Sequence, residues 1–334
     1  MITIIAEAGV NHCGSKERAL EMVHAAAKAG ADYVKFQTFK AEKLVSKSAP
    51  KAEYQAANDP TSGQTQLEML KALELTINDF KDIADECNRC GIGFLSTPFD
   101  LDSIRELEAL NMDFWKIPSG EITNLPYLRT IARQGKPVVM STGMSSLPEI
   151  NAAVQALCDA GLQRDQITLL HCNTQYPTPP VDVNLRAMES LRELGCNGVG
   201  FSDHTLGIAI PLAAAALGAE VIEKHFTLSR ELPGPDHKAS LTPTELAEMV
   251  NGIRTIEQAL GRKEKVMTDS EKTNVSIARK SIVASREIRK GEIFSDENLT
   301  TKRPATGLSP MQWDSVIGTP ARRDYLPDEP IDKI

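Results

Sequence analysis

The sequence predicts an α/β protein: a (β/α)8 TIM barrel followed by a small β-rich C-terminal domain. Three observations lead there. Up to about residue 260 of the 334-residue chain, short apolar runs that end in polar residues alternate with helical stretches rich in Ala, Leu and Glu. The runs number eight, the count a closed parallel barrel needs, with a doubly wound sheet as the alternative. After "ALGRKEKVMTDSEKTNVS" the alternation stops, and turns, prolines and short β-prone pieces take over. A hydrophobic content of 41% is enough for one large core and a small appended one.

Taken in order, the strand candidates are "ITIIAEAG", "DYVKFQTF", "GFLSTPF", "FWKIPSGE", "PVVMSTGM", "ITLLHCNT", "VGFSDHT" and "EVIEKHF". Helical periodicity fills the gaps, for example at 16–29, 77–90, 145–160 and 242–260. One connection is long. About 25 residues, "KAEKLVSKSAPKAEYQAANDPTSG", follow the second strand, and a connection of that length beside a barrel mouth reads as a lid or substrate-binding element. The domain boundaries expected are 1–262 for the barrel, 263–277 for a linker and 278–334 for the C-terminal domain, which is small enough to need docking against something.

The charge balance excludes several classes. There are 37 basic and 45 acidic residues, a net charge of −8 with no basic block, so neither nucleic acid nor an anionic membrane is an expected partner. No signal peptide is evident and no run of about 18 apolar residues occurs, which points to a cytoplasmic protein. Six scattered cysteines read as reduced thiols. "CNRC" at 87–90 reads as a helix face rather than a redox or zinc motif, and the sequons at Asn274 and Asn298 read as chance.

Strand parity places the chemistry. In "VIEKHF", Val221, Glu223 and His225 share one face and Ile222, Lys224 and Phe226 the other. Lys35 and Gln37 likewise oppose Val34, Phe36 and Thr38, and Lys116 opposes Trp115 and Ile117. Large apolar side chains suit the helix-covered outer face, so the charged set points inward at the strand C-termini, where active sites of this fold lie. Lys224 breaks the pattern and finds no assignment. The polar strand ends are Glu7, Lys35, Gln37, Thr97, Lys116, Ser119, Glu121, Ser141, His171, Asn173, Ser202, Asp203, His204, Glu223 and His225.

Helix capping explains one such hydroxyl but not eight strands contributing together. Two lysines cannot be buried side by side without an anion, and lysines with hydroxyls and helix N-termini make a phosphate site. His204 and His225 end consecutive strands, which lie about 4.8 Å apart when paired, so their imidazoles can share one divalent ion with Glu7 and Asp236 nearby; Mn, Zn, Fe and Co all suit that donor set. His12, His171 and His237 are candidates to join or orient the site, whereas His24 falls in a helix as a structural residue.

"AEAGVNHCGS", "VKFQTFKAEKL", "FLSTPFD", "KIPSGEITNLPYL", "STGM", "LLHCNTQYPTP", "GFSDHT", "IEKHFTL", "PGPDHKAS" and "TTKRP" together resemble the bacterial sialic acid synthases, nearly end to end. The resemblance implies a barrel joined to an antifreeze-protein-like (SAF) domain in a domain-swapped homodimer. It implies condensation of phosphoenolpyruvate with an open-chain N-acetylated hexosamine, with water, to a 2-keto acid and phosphate, and a divalent metal, Mn2+ first, with Mg2+ or Co2+ as alternatives. N-acetylmannosamine, giving N-acetylneuraminate, is the acceptor expected first on "KAEYQ" and "HCNTQYPTP". The alternative is 2,4-diacetamido-2,4,6-trideoxymannose, giving N,N'-diacetyllegionaminate, on "GEITNLPYL" and "GPDHKAS".

Residue by residue, the resemblance implies His204 and His225 as metal ligands, and Lys35, Thr97, Lys116, Ser119, Ser141 and Ser202 as phosphoenolpyruvate contacts. Glu7 and Glu121 take catalytic or sugar-binding roles, with Gln37, Tyr176 and Asp236 around the sugar. Arg303 would reach the partner subunit's barrel. Asn173 and Thr174 stand in reversed order relative to some members, so either is the phosphoenolpyruvate contact. Distant phosphoenolpyruvate-dependent barrel aldolases remain a second enzyme class. A non-catalytic ice- or carbohydrate-binding module would have no use for the lysines and histidine pair.

Overall fold

The computed structural model describes residues 1–58 and 65–332; within that range the side chains of 53, 54 and 57 are not described, so the aromatic ring of "KAEYQ" lies outside the described set, as do residues 59–64 of the long connection. The chain divides into two compact units, Met1–Gly261 and Arg262–Ile334.

The first unit is the eight-stranded parallel barrel. Its strands are β1 (Thr3–Gly9), β2 (Tyr33–Thr38), β3 (Gly93–Pro98), β4 (Trp115–Ile117), β5 (Val138–Ser141), β6 (Ile167–Cys172), β7 (Gly198–Asp203) and β8 (Val221–His225). They hydrogen-bond in the order β3-β2-β1-β8-β7-β6-β5-β4, and β3 lies beside β4 to complete the ring. The strands are buried on both faces, which is why they read as near-continuous apolar runs. Outward residues such as Ile4, Ala6, Val34, Phe36 and Ile222 join one large core with the surrounding helices.

The helices start and stop where their end residues dictate. α1 (Lys16–Ala29) begins at Ser15, whose hydroxyl accepts from the Arg18 amide, and ends at Gly30 with φ of 83°. Three helices follow β2: α2 (Ala41–Leu44), α3 (Glu53–Asn58) and α4 (Gln66–Leu73), the last started by a Thr65–Glu68 capping box. α5 (Ile77–Cys90) starts at the Thr76–Asp79 capping box and ends at Gly91. The long connection after β2 thus carries two short helices before α4. Its apolar side chains, Phe39, Ala41, Met69, Leu70 and Leu73, form a small core of their own with Val10, and Asn58 Nδ2 donates to the Pro235 carbonyl beyond β8 at 2.8 Å.

Register carries the site. Glu7 on β1 lies opposite Lys35 on β2 and opposite His225 on β8. Gln37 pairs with Thr97, Ser202 with Glu223, and Asp203 with Lys224. A register shift between Glu7 and Gly9 ends the β1–β2 ladder at the mouth.

The second unit pairs β9 (Ser281–Ala284) antiparallel with β10 (Leu299–Lys302) around Ile282, Ile288, Phe294, Val316, Tyr325 and Ile331. The stretch expected as a linker carries a helix, Asp269–Ala278, started by a Thr268–Glu271 capping box. Asn298 is 1% exposed and hydrogen-bonded through its side chain, which leaves its sequon inaccessible to a glycan. Among the described residues no helix is long and apolar enough to cross a membrane.

Candidate active site

The strand C-termini open on a cavity of about 380 Å³ within the first unit. Its floor consists of charged side chains that the strands hold rigidly. Lys35 Nζ lies 2.7 Å from Glu7 Oε2 and 3.7 Å from Glu223 Oε2, and donates to Thr97 Oγ1 at 2.9 Å. Lys116 Nζ lies 3.6 Å from Glu223 Oε1 and donates to Ser141 Oγ at 2.7 Å. Ser202 donates to the same Glu223 oxygen at 3.0 Å. The anion that two buried lysines demand is therefore supplied within the chain, by Glu223 shared between them and by Glu7.

The electrostatics sort the carboxylates. Burial works against ionisation of Glu223, but Lys116 and Lys35 overcome it and hold its carboxyl below the usual range. Burial, opposed by Lys35 and reinforced by Glu223, raises Glu7. Asp236 is buried without a cation and sits near Glu7, which pushes it up to about 7. Half-burial raises Glu121, whose Oε2 accepts from Asn124 Nδ2 at 2.6 Å. Glu223, held ionised by its lysines, beside Glu7, Glu121 and Asp236, whose protonated forms burial favours, is an acid–base arrangement.

The two histidines stand at the rim with ring centroids 5.5 Å apart. His204 Nδ1 faces the Asn173 carbonyl at 2.5 Å, so the proton sits there and Nε2 keeps its lone pair, with the Tyr176 hydroxyl 2.9 Å away. His225 Nδ1 is buried and has no hydrogen-bond partner among the described residues. Burial lowers both rings, His204 to about 4, so both are neutral ligands at physiological pH. The donor set therefore fits a divalent cation. Among the described residues no third His, Cys, Asp or Glu completes a cluster with them, so further positions on a cation there would fall to oxygen from water or substrate. Gly9 explains how the rings approach β1: its φ is +54° and a Cβ would meet Gln37, Glu7 and His225 at 3.2 to 3.3 Å.

Of the residues expected at the site, Glu7, Lys35, Gln37, Thr97, Lys116, Ser119, Glu121, Ser141, Thr174, Tyr176, Ser202, His204, His225 and Asp236 all line the cavity. Gln37 donates to Glu7 Oε1 at 3.0 Å, and Ser119 Oγ accepts from the Gly143 amide at 2.9 Å. Asn173 does not line it: its side chain turns to the Gln175 amide and the Asp182 carbonyl, and it acts on the site through its own carbonyl, on His204. Arg303 is exposed in the second unit, just after β10.

The other histidines are not gathered. His171 Nε2 bonds the Val183 carbonyl, His237 lies between Thr227 and Cys13, and His12 accepts from the Gly14 amide. His24 meets Glu86 and Cys90 on the outer helices α1 and α5, with one donor atom from each within 4.8 Å of the others. There Arg89 already holds Glu86, and burial keeps the Cys90 thiol protonated, so the cluster reads as a contact between helices.

Two features escaped sequence reasoning. Glu223 was placed on the inner face by parity, but its position between both lysines depends on three strands meeting. The cavity roof comes mainly from the connection after β2; Val10, Phe39, Leu44, Val45, Met69, Leu70 and Leu73 make its apolar part, beside Gln55 and Gln66. The alternation of apolar and charged residues in "QTQLEMLKALEL" is the signal that a helix there turns an apolar face inward.

Fold and floor together define a barrel with a buried cluster of lysines, carboxylates and hydroxyls at its mouth. The NeuB family profile matches residues 22–265 and the SAF domain profile residues 279–333. The N,N'-diacetyllegionaminic acid synthase of Campylobacter jejuni is 52% identical over 98% of this chain and 97% of the relative, and the synthase of the same name from Legionella pneumophila is 47% identical over 95% and 89%. A crystal structure of N-acetylneuraminic acid synthetase from Leptospira borgpetersenii, in complex with citrate, superposes with a TM-score of 0.72 at 34% identity, over 82% of this chain and 90% of that one. The chain belongs to the NeuB family, the sialic acid synthases, and is a condensing enzyme of that family with a SAF domain at its C-terminal end.

Proposed function

We propose that the enzyme joins phosphoenolpyruvate to the open-chain aldehyde of 2,4-diacetamido-2,4,6-trideoxymannose, adds water and releases phosphate, making N,N'-diacetyllegionaminate. The observation that carries the choice of acceptor is the apolar roof. Relative to N-acetylmannosamine, this sugar carries an extra acetamido methyl and a methyl at C6 in place of hydroxyl-bearing groups. Two methyls buried against Leu44, Val45 and Leu70 contribute about 1.6 kcal/mol, roughly a tenfold preference. The hydroxyls of N-acetylmannosamine facing the same wall would each lose hydrogen bonds to water, at about 1–3 kcal/mol. The two relatives near half identity carry the same product in their names, which supports the legionaminate alternative over N-acetylneuraminate.

Lys35 and Lys116 bind the phosphate and carboxylate of phosphoenolpyruvate, with Thr97, Ser119, Ser141, Thr174 and Ser202 donating around them. The incoming anion takes over the neutralising role that Glu7 shares with Glu223 in the ligand-free floor, which frees Glu7 for chemistry. His204 and His225 would hold the divalent cation, Mn2+ first, with Mg2+ or Co2+ as alternatives, and its Lewis acidity would polarise the acceptor aldehyde. Gln37, Tyr176 and Asp236 position the sugar so that C3 of the enol bonds to the aldehyde carbon, whose oxygen takes a proton from solvent, matched by the one that Glu7 later removes from the adding water and returns. The cation developing at C2 lies near the negative Glu223, which stabilises it. Glu7 takes a proton from water as that water adds to C2, and the tetrahedral intermediate then collapses to the keto acid with loss of phosphate through C–O cleavage. Glu121 orders the acceptor from the turn after β4. Arg303 reaches the barrel of the partner subunit in a domain-swapped homodimer.

The test is phosphate release from phosphoenolpyruvate with Mn2+ and either acceptor. The expected result is a kcat/KM at least about tenfold higher for the diacetamido sugar. Equal or faster turnover of N-acetylmannosamine would transfer the proposal to N-acetylneuraminate.

A further inference from the structure

Lys224, for which the sequence offered no role, is completely buried, and so is the Asp203 carboxylate 2.6 Å from its Nζ. Both sit on the outer face of the barrel wall, paired directly across β7 and β8. Each immediately precedes one of the two rim histidines, His204 and His225. The Asp203 carboxylate also closes a tight turn around His204, with Oδ1 accepting from the Thr205 amide at 2.9 Å and Oδ2 from the Thr205 hydroxyl at 3.1 Å. Lys224 Nζ completes the knot by donating to the Thr205 carbonyl. The backbone of both histidines is held further by the Thr178 amide on the His204 carbonyl and the Leu241 amide on the His225 carbonyl, each at 2.9 Å.

Stability does not account for such a pair. Two charges removed from water lose about as much hydration as their attraction returns, and a well-packed apolar pair commonly does as well or better. What a buried ion pair offers is registry, because only one alignment of the strands lets the charges meet. Here that alignment sets β7 against β8 one residue below the imidazoles. We propose that Asp203 and Lys224 are positioning residues: they lock the ends of β7 and β8 so that His204 and His225 present their rings to one divalent cation. This rests on the metal-centre reading of the two histidines.

The experiment is a Mn2+ titration of the full-length, EDTA-stripped protein, with free Mn2+ followed by electron paramagnetic resonance and the phosphoenolpyruvate KM measured in parallel. The wild type is compared with His225→Ala, with the apolar double variant Asp203→Leu/Lys224→Met, and with the neutral hydrogen-bonding double variant Asp203→Asn/Lys224→Gln. The expected result is a folded double variant whose Mn2+ Kd is weakened about 10- to 100-fold, while the phosphoenolpyruvate KM stays within about twofold because the lysine floor is not part of the knot. A folded double variant that binds Mn2+ as tightly as the wild type would overturn the proposal, as would failure of both double variants to fold, which would assign the pair to the core alone. If the wild type binds no Mn2+, or His225→Ala binds it equally well, the metal-centre reading falls first and the positioning role with it.

Discussion

The floor and the roof of the cavity are built on opposite plans. On the floor, Glu7, Lys35, Lys116 and Glu223 stand on β1, β2, β4 and β8, buried and held by neighbours within 4 Å. In the roof, Leu44, Val45, Leu70 and Leu73 stand on α2, α4 and the turn after α2, and offer methyl groups with no directional partner. A charge network on strands is stiff and intolerant of change, because Lys35 and Glu223 each neutralise two others and link Glu7 to Lys116. An apolar wall on short helices tolerates substitution and tunes shape. Under the proposed function, the chemistry belongs to the floor and the choice of acceptor to the roof.

The comparison can be broken most severely at the floor. Lys116→Met leaves Glu223 with half its compensation and removes a phosphoenolpyruvate contact, so steady-state phosphate release should show kcat/KM down about a thousandfold. A loss under tenfold would move the anion site elsewhere. Glu7→Gln keeps size and hydrogen bonding to Gln37 but cannot accept a proton, and kcat should fall about a hundredfold or more with the acceptor KM little changed. Turnover near wild type would take Glu7 out of the water-addition step.

The roof should answer more mildly. Leu44→Gln, half-exposed at the cavity edge, is expected to raise the acceptor KM about tenfold and leave that of phosphoenolpyruvate alone. A change in both would mean that the two walls are not separable.

The smallest effect expected is on stability. Asp236 titrates at about 7 in the folded protein against an ordinary 3.8, so the folded state keeps a proton that the unfolded chain releases. This group therefore favours folding below its ordinary pKa, and its cost grows as pH rises toward 7. Asp236→Asn mimics the neutral form. In EDTA its unfolding midpoint should exceed that of wild type by a few degrees at pH 8, with the gap closing near pH 4; a gap independent of pH would refute the shift.

Much of the floor was legible because strand side chains alternate, and the alternation is written in "VIEKHF", "VKFQ" and "FWKI". All eight strand candidates correspond to barrel strands, with boundaries off by up to four residues where polar ends run into turns, as at Ser119–Glu121 after β4. Contacts between distant segments were not legible. Parity could exclude Lys224 from the cavity but could not find Asp203 for it, since their meeting depends on β7–β8 register. The placement of Asn173 and Thr174 depends on three dimensions, where Thr174 lines the cavity and Asn173 faces His204 through its carbonyl. The roof was seen only as a long connection, because α2 to α4 are too short for a strong periodic signal.

The most direct test of a fixed floor beneath a selective roof is the ratio of kcat/KM for the diacetamido sugar over N-acetylmannosamine, measured in the wild type and in Leu44→Gln/Val45→Thr. The account predicts a ratio of about ten or more that falls toward one in the double variant, with the phosphoenolpyruvate KM unchanged. A ratio that stays the same when those two side chains become polar, or a variant that loses phosphoenolpyruvate binding along with selectivity, would contradict it.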